Sequence, residues 1–271
     1  MQDWQDAILQ WWFKMAKKKY FFFDYDGTLT VGGGSAQIPE SAIKTLDLLM
    51  KKGHFVAVAT GRLQCDAYER CRKIGIQNLV SDGGNGLTIN GEIIYMKSID
   101  IPYAIQLLDE LEQKNISWAV ICENSTVRYC KTERFTQEVQ DTYIKTIVLP
   151  ELDYHQIRQL YKVFISCNQE TQKEIHALEC LPTVRYHPNC LFVEPDDKAI
   201  GIIKMLDYFN ATCEDVVVFG DGTNDVKMFR KEWTSIAMGN SKDVLKEKAT
   251  FITKSCEEDG IEFACKYFGW I

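Results

Sequence analysis

The chain has 271 residues, which at roughly 100–200 residues per domain predicts two domains, or one domain with a large insertion. With 46% hydrophobic and 25% charged residues, the composition excludes disorder, collagen and coiled coil as the main architecture. The net charge of −7 argues against a general nucleic-acid binder and leaves open a local site for anions.

Residues 1–17 are read as an N-terminal extension rich in aromatic side chains, among them Trp11 and Trp12, and a lysine cluster at 17–19 follows. One interpretation is a helix that lies on a membrane surface or binds a partner. The interpretation we favour is a short packed extension, or a non-native leader before an internal start at Met15. The reason is that the sequence runs from Met15 through the lysines directly into a strand.

The ten cysteines include no CxxC pair, so the spacing typical of zinc sites is absent. Several lie inside apolar runs, such as Cys122 and Cys167, which indicates buried free thiols in a reducing compartment. The sequence has no basic leader followed by a long apolar segment, and no stretch approaches 18 apolar residues. We therefore expect a cytoplasmic protein without a transmembrane segment.

Apolar runs and helical patterns alternate in the first part of the chain. Strands are predicted at Tyr20–Phe23, Phe55–Ala59 and Ile76–Ser81, with a helix from Pro39 to Gly53 and another up to Arg72. This β-α-β-α-β order implies a parallel sheet covered by helices.

The pattern changes after residue 86. Asn90-Gly91 lies between two short apolar runs and predicts a β-hairpin. Further strands are predicted at 117–123, 127–131, 160–167, 183–186 and 190–194, with helices at 102–114 and 170–178. This mixture of hairpins and helices predicts a separate α+β domain inserted into the first one.

The α/β alternation returns with a helix that begins at Lys198. Val216–Phe219 is a continuous apolar run typical of a buried central strand. Shorter elements are predicted at 234–238, 244–248, 251–253 and 260–267.

Three of the predicted central strands end in polar residues. Ligands bind outside the carboxyl ends of parallel strands, so we expect these residues to converge. They are Asp24 and Asp26, Thr60 and Gly61, and Asp221 and Asp225.

Several carboxylates in one crevice repel each other and need a cation, and oxygen-only ligands favour Mg²⁺. Thr60 with the backbone N–H groups after it, and Lys198 before a helix, would provide an anion site. Together these groups point to phosphoryl transfer through an acyl phosphate. The alternative for each residue alone is structural: Asp-Gly is a common turn, and Asp24, Asp221 or Asn224 would then only cap a helix.

The segments Asp24-Tyr-Asp-Gly-Thr-Leu, Ala59-Thr-Gly-Arg62, Lys198 and Gly220-Asp-Gly-Thr-Asn-Asp225 resemble the four motifs of the haloacid dehalogenase superfamily. The later segments at 237–240 and 258–260 resemble its Cof-like branch of sugar-phosphate phosphatases. The resemblance implies a Rossmann-like α/β core at 18–83 and 195–271, with an α+β cap inserted at 84–194. In this family the cap closes over the leaving group and sets specificity.

By this resemblance, Asp24 is the nucleophile and Asp26 is first the general acid and then the general base. Mg²⁺ is held by Asp24, by the Asp26 backbone carbonyl and by Asp221, with Asp225 behind them or as an alternate ligand. The phosphoryl oxygens are held by Tyr25, Thr60, Gly61, Lys198 and Asn224. Arg62 orients the loop or the substrate in one interpretation, and forms a weak surface ion pair in the other.

These observations predict a Mg²⁺-dependent phosphatase of small phosphate esters, with sugar phosphates as the expected class. The alternatives are a phosphomutase of hexose phosphates and a phospho-ligand binding protein without catalysis. The four histidines show no ligand spacing and are predicted to be non-catalytic. The aromatic residues Trp118, Tyr129 and Tyr186 of the cap are read as core or as substrate contacts, and the oligomeric state is left open.

Overall fold

The structure, a computed structural model, describes residues 18–32, 37–140 and 144–271. The chain divides into two compact units. The first contains the described residues up to Ala57 together with Tyr208–Ile271, and the second is Val58–Asp207. The predicted extension at 1–17 lies outside the described residues. The core and cap boundaries proposed from the sequence stay a prediction.

Strands and helices alternate along the described chain. The strands are β1 (Tyr20–Phe23), β2 (Phe55–Ala59), β3 (Leu79–Ser81), β4 (Gly86–Ile89), β5 (Glu92–Met96), β6 (Trp118–Ile121), β7 (Val127–Cys130), β8 (Lys145–Val148), β9 (Lys162–Ser166), β10 (Thr183–His187), β11 (Cys190–Val193), β12 (Val216–Gly220), β13 (Thr234–Ala237) and β14 (Phe251–Ile252). The helices are α1 (Glu40–Lys51), α2 (Gln64–Cys71), α3 (Ile101–Gln113), α4 (Arg134–Val139), α5 (Gln169–Gln172), α6 (Lys198–Tyr208), α7 (Asp243–Lys246) and α8 (Gly260–Tyr267).

The first unit is built on parallel strands in the order β14-β13-β12-β1-β2. Tyr20 pairs with Val216 and Phe23 with Phe219, so β1 and β12 run side by side in register. Every residue of both strands is buried, as continuous apolar runs in a central strand require. Helices α1 and α8 pack against each other in this unit. The predicted parallel α/β architecture is confirmed.

In the second unit, the end of β2 pairs in parallel with β3, and β3, β4 and β5 follow as antiparallel neighbours. Asn90 and Gly91 connect β4 to β5 with φ angles of 51° and 85°. Two positive φ angles are what a type I′ hairpin turn demands. The predicted hairpin is therefore confirmed.

The second unit also contains a mainly antiparallel sheet in the order β10-β11-β9-β6-β7-β8, in which only the β7–β8 pair is parallel. An apolar cluster that includes Leu107, Leu108, Trp118 and Val163 packs α3 against it. The predicted α+β character of this part of the chain is confirmed.

One predicted helix is shorter than expected. The pattern predicted a helix over 170–178, but α5 ends at Gln172 and a 3₁₀ turn follows at His176–Cys180. The backbone N–H groups of His176 and Ala177 donate to the carboxylate of Glu110 on α3, at 3.0 and 2.7 Å. This contact between distant parts of the sequence takes the donors that would have continued the helix.

All ten cysteines are free thiols, six of them buried, two partly buried, and Cys180 and Cys213 exposed. Burial raises the pKa of Cys71 to about 12 and, with Glu123 nearby, that of Cys122 to about 11. At neutral pH these thiols stay protonated. Within the described ranges, no helix is long and apolar enough to cross a bilayer.

Candidate active site

Three carboxylates meet in the first unit, at the carboxyl ends of its two central strands. Asp24 follows β1, and its N–H donates to the Phe219 carbonyl of β12 at 2.9 Å. Asp221 follows β12, and Asp225 lies in the turn after it. One carboxylate oxygen from each of Asp24, Asp221 and Asp225 lies within 4.8 Å of the others. The convergence that the strand ends predicted is present for these three residues.

The loop after β12 is held by hydrogen bonds from its backbone to the side chain of Asp225. Asp225 is fully buried, and its Oδ2 accepts hydrogen bonds from the N–H groups of Asp221 and Gly222 at 2.9 and 3.0 Å. Thr28, which follows β1, donates from Oγ1 to Asp221 Oδ1 at 2.9 Å. The Asp221 carboxylate is thus oriented from both loops.

The loop after β1 passes very close to Asp221. Gly27 has a φ of +85°, and a Cβ at this position would lie 2.3 Å from Asp221 Oδ2. Only glycine fits such an approach in a left-handed conformation. The Asn240 amide donates to the Gly27 carbonyl at 2.8 Å, and its Oδ1 accepts from the Cys256 N–H at 3.1 Å. Asn240 therefore ties this loop to the C-terminal part of the unit.

Asp26 lies beyond the end of β1 at Phe23 and forms an isolated β-bridge with Thr30. Asp26 lines a cavity of about 370 Å³ together with Asp221, Asn240 and Cys256. Burial, with a smaller effect of Asp221, raises the pKa of the Cys256 thiol to about 11, so this thiol is protonated at neutral pH.

The acidic cluster fits a divalent cation. Its three donors are carboxylate oxygens, and hard cations such as Mg²⁺ and Ca²⁺ prefer oxygen ligands. Three negative charges within 4.8 Å of one another repel strongly unless a cation or protons offset them. Two of the three side chains are buried, which makes the repulsion stronger than it is in water.

The predicted phosphate loop lies in the second unit, after β2. Thr60 is buried, and its N–H donates to the Val80 carbonyl at 2.8 Å. The Thr60 carbonyl accepts from the Gly83 N–H at 3.1 Å, and its hydroxyl accepts from the Arg62 N–H at 3.1 Å. The loop is a fixed backbone turn.

Lys198 is the first residue of α6 and is 1% exposed. It adjoins the turn that holds Thr60: a Cβ on Gly84 would lie 3.4 Å from the Lys198 Cα and 2.2 Å from the Asp197 carbonyl oxygen. Within the second unit, the turn at 83–84 therefore connects the Thr60 loop to the start of α6.

The other predicted site residues are placed as follows. Tyr25 is buried, and its carbonyl accepts from the Leu29 and Thr30 N–H groups at 3.1 and 3.0 Å. Asn224 is half-buried in a 3₁₀ turn at Thr223–Met228. Arg62 pairs with Asp66 at 2.7 Å, with side-chain exposures of 8% and 14%. The ion pair of the second interpretation is present, but it is partly buried and not on the open surface.

The sequence argument missed three groups of polar residues. Thr28 lies in the first motif and Asn240 in the segment at 237–240. Their positions in these motifs could have marked both as site residues. The third group is a buried set in the second unit: Asp82, Lys162 and Glu194, with exposures of 3%, 7% and 2%. These residues are far apart in sequence, and no motif connects them.

Comparison with known proteins finds relatives that match over most of the chain. A profile of the haloacid dehalogenase-like hydrolases matches residues 21–264. YkrA of Bacillus subtilis, provisionally named a phosphatase, is 30% identical over 255 residues, which cover 93% of this chain and 98% of YkrA. A Streptococcus pyogenes protein, provisionally named a bifunctional phosphatase and peptidyl-prolyl cis-trans isomerase, is 29% identical over the whole chain, which spans 58% of that relative's length. The solved structure of BT4131, described as a sugar phosphatase of subclass IIB, superimposes with a TM-score of 0.74 at 25% identity and covers 94% of this chain and 100% of that one.

Proposed function

The chain belongs to the haloacid dehalogenase-like hydrolase family, and on this premise we propose that it is a Mg²⁺-dependent phosphatase of small phosphate monoesters. The observation that carries the proposal is the cluster of Asp24, Asp221 and Asp225 at the ends of β1 and β12. Hydrolysis of an ester needs a nucleophile, a proton donor and a group that offsets negative charge. The first unit contains candidates for all three.

In the proposed reaction, an Asp24 carboxylate oxygen attacks phosphorus while the bond from phosphorus to the ester oxygen breaks. Asp26 donates a proton to that leaving oxygen, which departs as an alcohol. A water molecule then attacks the aspartyl phosphate and gives its proton back to Asp26. The bond from Asp24 to phosphorus breaks, which releases inorganic phosphate and restores both carboxyl groups.

Asp24, Asp221, the Asp26 carbonyl and, as an alternate, Asp225 would hold the Mg²⁺ ion. A bound divalent cation supplies positive charge that offsets the carboxylates and the phosphate ester. Asp225 already accepts two backbone N–H bonds through Oδ2, which favours a positioning role for it. We assign the phosphoryl oxygens to Tyr25, Thr60, Gly61, Lys198 and Asn224, as the motif resemblance implies.

Sugar phosphates are the proposed substrate class. This rests on the resemblance to the Cof-like branch and on the similar structure of BT4131, which is described as a sugar phosphatase. The ten free thiols favour action in a reducing compartment, which we take to be the cytoplasm.

The test is Asp24→Asn, assayed by phosphate release from p-nitrophenyl phosphate with Mg²⁺. We expect at least a thousandfold loss of kcat, since an amide is a poor nucleophile, with an unchanged circular dichroism spectrum. Wild-type activity in this variant would disprove the assignment of the nucleophile.

A panel of sugar phosphates, nucleotides, pyridoxal phosphate and phosphoglycolate then defines the substrate class. Incubation with a hexose monophosphate and a trace of bisphosphate distinguishes a phosphatase from the nearest alternative, a phosphomutase. Release of inorganic phosphate supports the phosphatase, and isomerised sugar phosphate without release supports a phosphomutase.

A further inference from the structure

Lys162 is a buried lysine in β9, 7% exposed, and lysine is rarely buried without partners. Its ammonium forms an ion pair with Glu194, which is 2% exposed, and donates to the Gly61 carbonyl at 2.8 Å. The Tyr186 hydroxyl donates to the other Glu194 oxygen at 2.8 Å. Because removing two charges from water is costly, a buried ion pair is weak evidence for a role in stability alone.

The carbonyl that Lys162 holds belongs to the loop at 60–62. A peptide unit is planar, so fixing the Gly61 carbonyl also fixes the direction of the Arg62 N–H. That N–H donates to Thr60 Oγ1 at 3.1 Å. With this acceptor site occupied, the Thr60 hydroxyl is oriented and keeps its own proton for a ligand.

The neighbouring carbonyls of the loop are held differently. The Thr60 carbonyl accepts from the Gly83 N–H at 3.1 Å, and the Arg62 carbonyl accepts from the Asp82 N–H at 2.9 Å. Both partners are backbone groups that any sequence supplies. Among these three carbonyls, the Gly61 carbonyl accepts from a side chain, that of Lys162, and the other two accept from backbone N–H groups.

The approach around Gly61 is close. A Cβ there would lie 3.4 Å from the Tyr186 hydroxyl and 3.7 Å from Glu194 Oε1. The ion pair is therefore packed directly against the loop, and its loss would leave room for the loop to shift.

We propose that Lys162 is a positioning residue that fixes the direction of the phosphate-binding groups of the 60–62 loop through the Gly61 carbonyl. The proposal rests on the proposed function in one respect: it takes this loop to bind the phosphoryl group. A misplacement of about 1 Å in such groups costs up to about a hundredfold in rate.

The experiment compares Lys162→Met/Glu194→Gln with Glu194→Gln alone. The double variant removes the donor to Gly61 without leaving a buried, unpaired carboxylate, so it folds even where Lys162→Met does not. The single variant keeps the Lys162 donor. Lys131→Met is the matched control, because Lys131 lies in the same unit and pairs with Glu112 at 3.2 Å instead of contacting the 60–62 loop.

The readouts are the affinity for inorganic phosphate by calorimetry with Mg²⁺, kcat/KM with p-nitrophenyl phosphate, and the melting temperature. We expect the double variant to bind phosphate at least about tenfold more weakly than Glu194→Gln and to lose kcat/KM by about ten- to a hundredfold. Lys131→Met should match the wild type. Equal phosphate affinity in the double and single variants, with only the melting temperature changed, would overturn the positioning role.

The same measurements distinguish failure of the proposed phosphatase function from failure of the positioning role of Lys162. If the wild type binds phosphate and the double variant does not, but neither hydrolyses any ester of the panel, the positioning role stands and the phosphatase does not. If the wild type hydrolyses esters and the two variants do so equally, the phosphatase stands and the positioning role does not. A wild type that neither binds phosphate nor hydrolyses esters overturns both.

Discussion

Asp82 is a buried carboxyl group that the proposed reaction does not use. It is 3% exposed, and its Oδ2 accepts the Gln64 N–H at the start of α2 at 3.0 Å. Burial raises its pKa from 3.8 to about 6, although the nearby Lys162 ammonium acts in the opposite direction. The folded protein therefore holds a proton here that the unfolded chain releases at lower pH.

Asp82→Asn should remove a pH dependence of stability. Because the folded-state pKa is raised, the contribution of Asp82 is fully present below pH 3.8 and is lost as the pH rises through about 6. Above that pH the buried carboxylate costs up to about 3 kcal/mol, at 1.36 kcal/mol per pKa unit. We expect the variant to exceed the wild type in the free energy of unfolding by about 1–3 kcal/mol at pH 8 and to match it near pH 4. Urea unfolding at the two pH values measures this.

Asp207→Asn is the control for this experiment, since Asp207 is exposed in the same unit. Asp207→Asn should change the free energy of unfolding by no more than about 0.5 kcal/mol at either pH. An Asp82→Asn protein with the same pH profile as the wild type would contradict the raised pKa.

The sequence alone was enough to predict the site residues that directly follow strands. Asp24 and Asp221 stand at the ends of apolar runs, and parallel strands bring such ends together whatever their separation in sequence. Lys162 was beyond this reasoning, because it lies inside the strand predicted at 160–167 and belongs to no motif. Its partners Gly61 and Glu194 come from distant segments, and only folding brings the three together.

At the scale of elements, the loop after β1 can approach Asp221 because Gly27 has no Cβ. Gly27→Ala should push the Asp221 carboxylate out of the acidic cluster, because the added Cβ would lie 2.3 Å from Oδ2. We expect kcat/KM for a phosphate ester to fall at least about a hundredfold. The φ of +85° adds a stability cost of about 1–2 kcal/mol.

Gly53→Ala separates the two effects. Gly53 has a φ of +86°, and nothing described lies within 4 Å of its Cβ position. This variant should lose the same stability through backbone strain, as thermal unfolding would show, and it should keep full activity. Equal losses of activity in both glycine variants would mean that backbone strain, and not displacement of Asp221, is responsible.

Elements with a local signal were predictable. The Asn90-Gly91 turn defines its hairpin without help from the rest of the chain. The helix predicted over 170–178 was not, because Glu110 from α3 takes two of its backbone donors. Strand β8 was not predicted either, because its apolar run at 147–149 is short and its pairing with β7 comes from tertiary structure.

For the whole molecule, the acidic cluster predicts that a divalent cation stabilises the fold. A ligand at a hundred times its Kd that binds only the folded state adds about 2.7 kcal/mol. We expect saturating Mg²⁺ to raise the melting temperature of the chelator-treated protein by several degrees, as differential scanning fluorimetry would show.

Asp221→Asn should abolish most of that increase, because it removes one of the three clustered carboxylates. Asp243→Asn, which changes an exposed carboxylate of the same unit, should keep it. A Mg²⁺ effect of equal size in all three proteins would indicate general ion binding to a chain of net charge −7 and not the proposed site.

The pairing of Tyr20 with Val216 places the two halves of the first unit at nearly opposite ends of the sequence. On the ribosome, the second unit is continuous from Val58 to Asp207 and is synthesised in full before β12 exists. At about 5–20 residues per second, β1 waits roughly 10–40 s for its partner. Through that interval β1 has β2 as a neighbour but lacks β12 on its other side, so its three consecutive phenylalanines are incompletely covered and the nascent chain is expected to be a client of chaperones that bind short apolar segments.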